Sequence, residues 1–230
     1  MSSPIKIITL DDDTYPRLLK QIYDPPRRLY ILGDLKAEEK YPLAVVGTRN
    51  ASDYGKRTTN YFVNALSRAG LTIISGLALG IDGLAHQATL GVKGKTIAVL
   101  GSGLNVVYPS AHKKLFQQII EAGGAVISEY PPETKPNKQS FPARNRIIAG
   151  LSLGVLVIEA PEKSGALITA RAALEQGREV FAIPGDIYSR NSAGTNKLIE
   201  MGAKPVTKPE DILEEIIITN HTHFSAHDHK

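Results

Sequence analysis

The sequence predicts a doubly wound α/β domain built on a mostly parallel sheet. Short runs rich in Val and Ile recur from residue 43 onward without polar alternation, which is typical of strands buried on both faces. Most segments between these runs have room for a helix, and helical crossovers cover both faces of a parallel sheet. The predicted strands lie near Leu43–Val46, Thr72–Ile74, Thr96–Leu100, Ala125–Ile127, Val155–Ile158 and Glu179–Ile183.

Helices are predicted in the segments between these strands, at Tyr54–Ala69, Ile81–Leu90, Ala111–Ala122 and Ala166–Gln176. Glycine follows the ends of these helices, for example after Ala69, Ala122 and Gln176, and glycine readily adopts the left-handed conformation that ends a helix.

The main domain is expected to cover residues 41–218. Residues 1–40 form a short N-terminal extension, with a helix at Tyr15–Ile22 and a strand at Arg28–Leu32. A last helix is expected at Pro209–Ile217. Residues 219–230 are rich in His and lack an apolar period, so this tail is predicted to be disordered.

Composition excludes several classes of protein. With 42% hydrophobic and 22% charged residues, the chain is typical of soluble globular proteins. The absence of Cys removes disulfides, thiolate nucleophiles and thiolate zinc sites. No apolar run is long enough to span a membrane, and the N-terminus lacks the apolar segment of a signal peptide, so a cytoplasmic location without a membrane partner is expected.

Charge is unevenly distributed along the chain. Residues 1–210 hold 26 Lys and Arg against 19 Asp and Glu, a formal charge of +7. This excess favours an anionic partner, although an ordinary solvated basic surface explains the charge alone equally well.

Most of the predicted strands are followed by Gly or Ser. Because the carboxyl ends of parallel strands meet at one edge of a sheet, these turns are expected to line a ligand crevice. Gly and Ser let backbone N–H groups approach a phosphate, and helix N-termini favour anions. Short turns also use Gly and Ser for structural reasons, but the clustering at one edge favours a ligand site. The phosphate-cradle candidates are Ser75, Ser102, Ser164 and Gly165.

Motifs of nucleotide-hydrolysing enzymes are incomplete in this sequence. Gly94-Lys95-Thr96 imitates the end of a P-loop, but Thr89 stands where an earlier glycine is required. Gly101-Ser102-Gly103 begins a dinucleotide fingerprint whose third glycine position is Val106. Because these motifs are only partly present, a nucleotide-binding or nucleotide-hydrolysing enzyme is kept as the alternative interpretation and is not the main one.

Catalytic patterns are also weak. Asp82 and His86 lie four residues apart on a predicted helix and could face each other, although such pairs more often pack or cap than catalyse. The sequence shows no nucleophile elbow and no triad with metal-ligand spacing. It predicts no catalytic residue, no metal site and no cofactor.

The stretch from Thr134 to Gly150 is basic and contains no acid. Its cations are Lys135, Lys138, Arg144 and Arg146, and Phe141 lies among them in a Pro-broken loop that is predicted to lead to a helix near Arg144. Cations that hold phosphates beside a ring that stacks on a base are typical of single-stranded nucleic acid grooves. A solvated loop with its ring in the core would show the same pattern. Arg49, beside a glycine at the end of the first strand of the main domain, favours anion binding.

Seven further segments accompany the block Phe-Pro-Ala-Arg-Asn-Arg-Ile-Ile-Ala-Gly at Phe141–Gly150. They are Val45–Arg49, Ser75–His86, Tyr108-Pro109, Ser128–Pro131, Glu159–Leu167, Pro184-Gly185 and Gly194–Ile199. In this order, over residues 10–215, the segments resemble the DNA-processing protein A family, also called Smf. The resemblance is to the family's core, without the C-terminal winged-helix domain that many members add.

The resemblance implies an extended Rossmann-like fold that forms a homodimer. It further implies a single-stranded DNA-binding recombination mediator, not an enzyme, that protects incoming single strands and loads the RecA recombinase during natural transformation.

The resemblance also implies roles for individual residues. Arg49 and Lys138 contact phosphates, with Lys135 as the competing candidate in the same loop. Phe141 stacks near a base. The residues that shape or line the pocket are Arg144, Asn145 and Arg146, and the glycines that let strands approach closely are Gly47, Gly76 and Gly103.

Overall fold

The computed structural model describes residues 4–216, in which nine strands form one sheet. The strands are β1 (Lys6–Thr9), β2 (Arg28–Gly33), β3 (Leu43–Val46), β4 (Ile73–Ser75), β5 (Thr96–Leu100), β6 (Ala125–Ser128), β7 (Gly154–Val157), β8 (Glu179–Ala182) and β9 (Lys204–Pro205). The helices are α1 (Arg17–Lys20), α2 (Asp53–Arg68), α3 (Ile81–Gly91), α4 (Lys113–Glu121), α5 (Ser140–Gly150), α6 (Gly165–Glu175), α7 (Ala193–Glu200) and α8 (210–216), and a 3-10 turn at Ser110–His112 precedes α4.

The sheet has the order β1-β2-β6-β5-β4-β3-β7-β8-β9, and the seven strands from β6 to β9 in this order are parallel. The chain moves outward from β3 to β6 in one direction, and α5 then returns it to β7 on the other side of β3. The strand order therefore reverses between β3 and β7. In open α/β sheets, ligands bind outside the carboxyl ends of the strands at such a switch point.

Apolar side chains cover both faces of the sheet, as the runs without polar alternation predict. One face packs against α1, α5, α6 and α7 through residues such as Leu19, Ile147 and Ala170. The other face packs against α2, α3 and α8, where Phe62 and Ala85 are buried, and against α4 at the β6 side. Both faces of the parallel strands are thus removed from water.

The N-terminal residues extend the same sheet. β1 pairs antiparallel with β2, and β2 pairs antiparallel with β6. The residues predicted as an extension therefore add two antiparallel strands at this edge, and Leu19 of α1 is fully buried. The His-rich tail predicted at residues 219–230 lies outside the described residues.

The predicted α/β class with a mostly parallel sheet is confirmed. Every predicted strand occurs, with ends within one residue of the prediction, and the predicted helices differ by two residues or fewer at each described end. The structure adds β1, α7 and β9. The prediction that Phe141 lies in a loop is wrong: α5 already begins at Ser140, because Pro142 falls in the first turn, where a helix tolerates proline. No helix within residues 4–216 is long and apolar enough to cross a membrane.

His86 and Asp82 do not pair with each other. The imidazole of His86 is fully buried between α3 and β5, where Nδ1 lies 2.7 Å from the hydroxyl of Thr96. That hydroxyl donates to the carbonyl of Ile73, so it accepts from Nδ1. Nε2 is buried and has no hydrogen-bond partner among the described residues. Burial lowers the pKa of His86 to about 3, because a proton on Nε2 would add an unpaired buried charge.

This burial predicts a pH dependence of stability. The imidazole has its ordinary pKa of 6.5 in the unfolded chain and about 3 in the folded chain, so the unfolded chain takes up the proton first as the pH falls. The free energy of unfolding should decline below pH 6.5 by about 1.4 kcal/mol per pH unit from this group. Urea unfolding of wild type and of His86→Gln over this pH range measures the pH dependence of the free energy of unfolding. Equal pH dependences of the two proteins would contradict the assignment.

Candidate functional site

A pocket of about 620 Å³ lies at the carboxyl ends of β3 and β7. We call it the switch pocket. Three segments supply most of its walls: the turn after β3, the start of α5 with the residues just before it, and the turn that begins α6. Its polar and aromatic lining includes Thr48, Arg49, Asp82, Tyr108, Lys138, Phe141, Arg144, Asn145, Lys163 and Ser164.

Arg49 and Phe141 form one wall of the switch pocket. The guanidinium carbon of Arg49 lies 5.4 Å from the centre of the Phe141 ring, within the range of a cation–π contact. The ring of Tyr108 lies 5.5 Å from that of Phe141, tilted by 42°, and Tyr108 is 47% exposed. The wall therefore offers a cation and aromatic faces side by side.

Lys138 and Lys163 add two exposed cations from opposite segments. Within residues 4–216, Arg49, Lys138 and Lys163 form no ion pair with Asp or Glu. Asp82 is the one acidic side chain among the described lining residues. The pocket mouth thus carries positive charge that no neighbouring carboxylate neutralises.

Arg144 is buried beneath this wall, with 5% of its surface exposed. Its Nη1 donates to the carbonyl of Gly76 at 2.6 Å and to that of Val99, and its Nε donates to Asn145 Oδ1 at 3.2 Å. Burial lowers the pKa of Arg144 to about 10; the nearby carboxylate of Asp82 opposes this shift and the positive charge of Arg49 adds to it. The guanidinium fastens α5 to the ends of β4 and β5.

Asp82 faces Arg144 from the first turn of α3. Its Oδ2 accepts from the N–H of Gly76 at 3.1 Å. Burial raises the pKa of Asp82, while Arg144 and backbone N–H groups favour the charged form. The carboxylate of Asp82 is therefore occupied by groups of the protein itself, and its role is to hold the bottom of the switch pocket in place.

Asn145 and Arg146 have different surroundings. Asn145 is buried in the pocket wall, and its Nδ2 donates to the carbonyl of Gly165 at 3.2 Å, which joins α5 to the start of α6. Arg146 donates to Asp24 at 3.1 Å and to Glu129 at 2.5 Å, and it does not line the switch pocket. Arg146 thus joins α5 to the N-terminal residues and to β6.

The three predicted glycines all lie where a side chain has no room. A Cβ at Gly47 would lie 2.5 Å from Ile81 Cγ1, and one at Gly76 would lie 2.6 Å from both Arg144 Nη1 and Asp82 Oδ2. A Cβ at Gly103 would lie 2.1 Å from the carbonyl oxygen of Pro131. Gly47 lines the switch pocket, whereas Gly103 packs against the loop that leads to α5.

The four phosphate-cradle candidates separate into two pairs. Ser75 and Ser102 are buried, and their hydroxyls donate to the carbonyls of Val45 and Val106, each at 2.7 Å. Ser164 and Gly165 line the switch pocket, and Ser164 Oγ caps α6 by accepting from the N–H of Ala166. The structure therefore brings only the second pair to the pocket.

Lys135 is exposed in the loop before α5 but does not line the switch pocket, unlike Lys138. Lys163 and Tyr108 line it without being among the predicted site residues. The sequence does contain a signal for Lys163, because it lies in the turn after a predicted strand and directly before Ser164. Tyr108 follows no predicted strand end, so its position depends on how the β5–α4 loop folds.

Glu159 holds the Arg49 loop in position from the end of β7. It is 2% exposed, and its carboxylate accepts from the N–H of Ser52 at 3.0 Å, from the hydroxyl of Ser52 and from Asn191 Nδ2 at 3.4 Å. Its backbone carbonyl accepts from the N–H of Thr48 at 2.7 Å. One residue thus fixes both ends of the loop that carries Arg49.

The fold and the switch pocket define a Rossmann-like α/β protein whose switch point carries an aromatic wall and unpaired cations. Residues 6–217 match the model of the family described as DNA recombination-mediator protein A. The chain belongs to this family.

Named relatives agree with this assignment. The chain is 51% identical over 210 residues to protein Smf of Escherichia coli, covering 91% of this chain and 56% of that protein. It is 47% identical to DNA processing protein DprA of Bacillus subtilis over 92% of this chain and 71% of the relative. The chain thus spans little more than half the length of the Escherichia coli relative.

Two solved structures of DNA processing protein A are also similar. That from Streptococcus pneumoniae has a TM-score of 0.85 at 47% identity, covering 92% of this chain and 74% of the other. That from Helicobacter pylori has a TM-score of 0.83 at 32% identity, covering 95% and 99%. The Helicobacter pylori structure is described for its single-stranded DNA binding mode.

The contacts of Glu159 predict that Glu159→Gln destabilises the fold. The new amide would point N–H groups at donors on Ser52 or Asn191, which should cost about 1–3 kcal/mol of unfolding free energy. Urea unfolding measures the change. Glu162→Gln, at an exposed position three residues away, is the matched control and should leave the midpoint unchanged. Equal midpoints for both variants would contradict the role of Glu159.

Proposed function

We propose that this chain binds single-stranded DNA in the switch pocket and acts as a recombination mediator. The observation that carries the proposal is the arrangement of Arg49 over the ring of Phe141, with Lys138 and Lys163 at the same pocket. None of these three cations pairs with an acid of the part of the chain that the structure describes. Unpaired cations attract phosphates, and an aromatic face accepts a base.

The charges favour an anionic ligand at this place in particular. The positive charge of Arg49 is close enough to Arg144 to disfavour the charged form of the buried Arg144 guanidinium. A phosphate beside Arg49 would offset that repulsion, and the planar guanidinium can donate to two phosphate oxygens at once.

The aromatic wall favours a single strand over a duplex. A ring can stack only on a base whose face is free, and the bases of a duplex already stack on their neighbours. The switch pocket is also concave and bounded by short turns, whereas duplex readers present a helix or a ribbon to the major groove. The binding mode for which the Helicobacter pylori relative is described supports the same ligand.

The finer parts of the proposal follow from family membership. We infer a homodimer in the cytoplasm that protects incoming single strands and loads RecA during natural transformation, by binding and not by turnover. Exposed apolar side chains on the α6 and α7 side support an interface between copies, among them Leu174, Ile187, Tyr188 and Met201.

The charge assignment predicts the effect of replacing two cations. Arg49→Ala combined with Lys138→Ala should weaken binding of a labelled oligo-dT and lower the log–log salt slope by about 0.7 for each phosphate that the protein no longer neutralises. Fluorescence anisotropy over a salt titration, with a matched duplex alongside, measures both. Lys135→Ala is the matched control, because Lys135 is exposed in the same loop but does not line the pocket.

Two results would reject the charge assignment: oligo-dT binding that the double variant retains in full, or an equal loss in Lys135→Ala. If wild type bound no single strand at all, nucleotide binding would be the next hypothesis to measure.

The aromatic wall predicts a separate effect for Phe141. Phe141→Leu keeps an apolar side chain but removes the ring, so affinity should fall by about 1–3 kcal/mol, or about 5-fold to 150-fold, if one base stacks there. Phe141→Tyr keeps the ring and should bind as wild type does. The salt slope should stay constant in both, because no charge changes. A loss of affinity in the Tyr variant as large as in the Leu variant would argue against stacking.

A further inference from the structure

A second groove begins on the far side of Arg49. It has a volume of about 330 Å³ and lies between the first turns of α2 and α3, beside the 3-10 turn. We call it the α3 groove. Its polar lining consists of Arg49, Asn50, Lys56, Gln87 and His112, and Gly80 and Gly83 form part of its surface.

Two glycines in the lining of the α3 groove lie at positions where a side chain has no room. Gly80 has φ of +75°, and a Cβ there would lie 2.2 Å from the carbonyl oxygen of Thr48. A Cβ at Gly83 would lie 2.5 Å from Cε1 of His112. These two glycines let the Thr48 carbonyl and the His112 ring pack directly against the start of α3, which fixes His112 at the edge of the groove. The N–H groups of Ile81, Gly83 and Leu84 already donate within the protein, so side chains must supply the attraction.

The side chains of the α3 groove suit a phosphodiester and a base edge. No Asp or Glu is among the described residues that line it. His112 Nδ1 lies 2.9 Å from the carbonyl of Leu77, which holds the ring in place. Gln87 is exposed and can both donate and accept. Lys56 lies 2.8 Å from the exposed Asp53, and an exposed pair of this kind is weak enough to exchange for a phosphate.

Arg49 connects the two cavities, because it lines both the switch pocket and the α3 groove. It also lines a small cleft beside the switch pocket, whose walls include Phe141, Tyr108 and Leu79. A guanidinium has five N–H donors, so one side chain can hold the phosphate that links two neighbouring nucleotides.

We propose that a DNA strand held in the switch pocket continues over Arg49 into the α3 groove, where Lys56, Gln87 and His112 contact the next nucleotides. The proposal rests on the proposed function and extends it: the binding site for single-stranded DNA is longer than the switch pocket. Strand length, and not only strand charge, then determines affinity.

A length series of labelled oligo-dT tests this extension. Lys56→Glu combined with Gln87→Glu places negative charge in the α3 groove at two exposed helix positions, which leaves the core intact. Lys114→Glu combined with Gln117→Glu makes the same charge change on exposed positions of α4 that line neither cavity. Anisotropy is measured for the three proteins over a salt titration, and affinities are compared near 0.15 M salt, where charges beyond about 8 Å are screened.

The shortest oligo-dT that wild type binds should have the same affinity for all three proteins. As the oligo-dT becomes longer, the affinity of the α3-groove variant should become about 10-fold or more weaker than that of wild type. Its salt slope should be lower by about 0.7 for each phosphate that the groove no longer neutralises. The α4 variant should follow wild type throughout. An α3-groove variant that differs from wild type by one constant factor at every length, or by none, would overturn the extension. Failure of wild type to bind any oligo would instead reject the proposed function.

Discussion

The buried guanidinium of Arg144 holds together the part of the sheet edge on which the site depends. It bonds the carbonyls of Gly76 and Val99, which belong to neighbouring strand ends, and it lies opposite Asp82. Removing the guanidinium would leave these two carbonyls without their donor, and each buried polar group that loses its partner typically costs about 1–3 kcal/mol. Phe141 lies one turn earlier on α5. The position of the aromatic wall therefore follows from a hydrogen-bonded charge below it.

Residues of the same type have opposite roles around this centre. Arg144 and Arg146 lie two positions apart on α5, and each donates hydrogen bonds to other groups of the protein itself. Arg49 and Lys138 form no ion pair with the other residues of 4–216, and both line the switch pocket. The distinction comes from what surrounds each side chain. A basic stretch in a sequence thus contains both cations that hold a site in shape and cations that face the ligand.

Much of this arrangement can be predicted from the sequence. The exceptions share one physical cause: they depend on contacts between residues that are far apart in the chain. Buried strands such as Leu43–Val46 are recognisable because their apolar runs are local, and the turns that follow them identify Gly47, Arg49 and Ser164. β9 has only two residues, and its pairing with β8 carries no local signal.

The partners of individual side chains are equally hard to predict. Arg146 bonds Asp24, which lies 122 positions away in the chain, and the hydroxyl of Ser75 bonds a carbonyl 30 positions away. Local patterns indicate which residues reach the sheet edge. They do not indicate whether a hydroxyl or guanidinium will find a protein partner once it is there. Glu159 also has a kinetic consequence, because its contacts hold the Arg49 loop at both ends without a ligand. Little conformational entropy of the loop is then lost when a ligand binds. Differences in affinity between ligands should therefore appear mainly as differences in residence time.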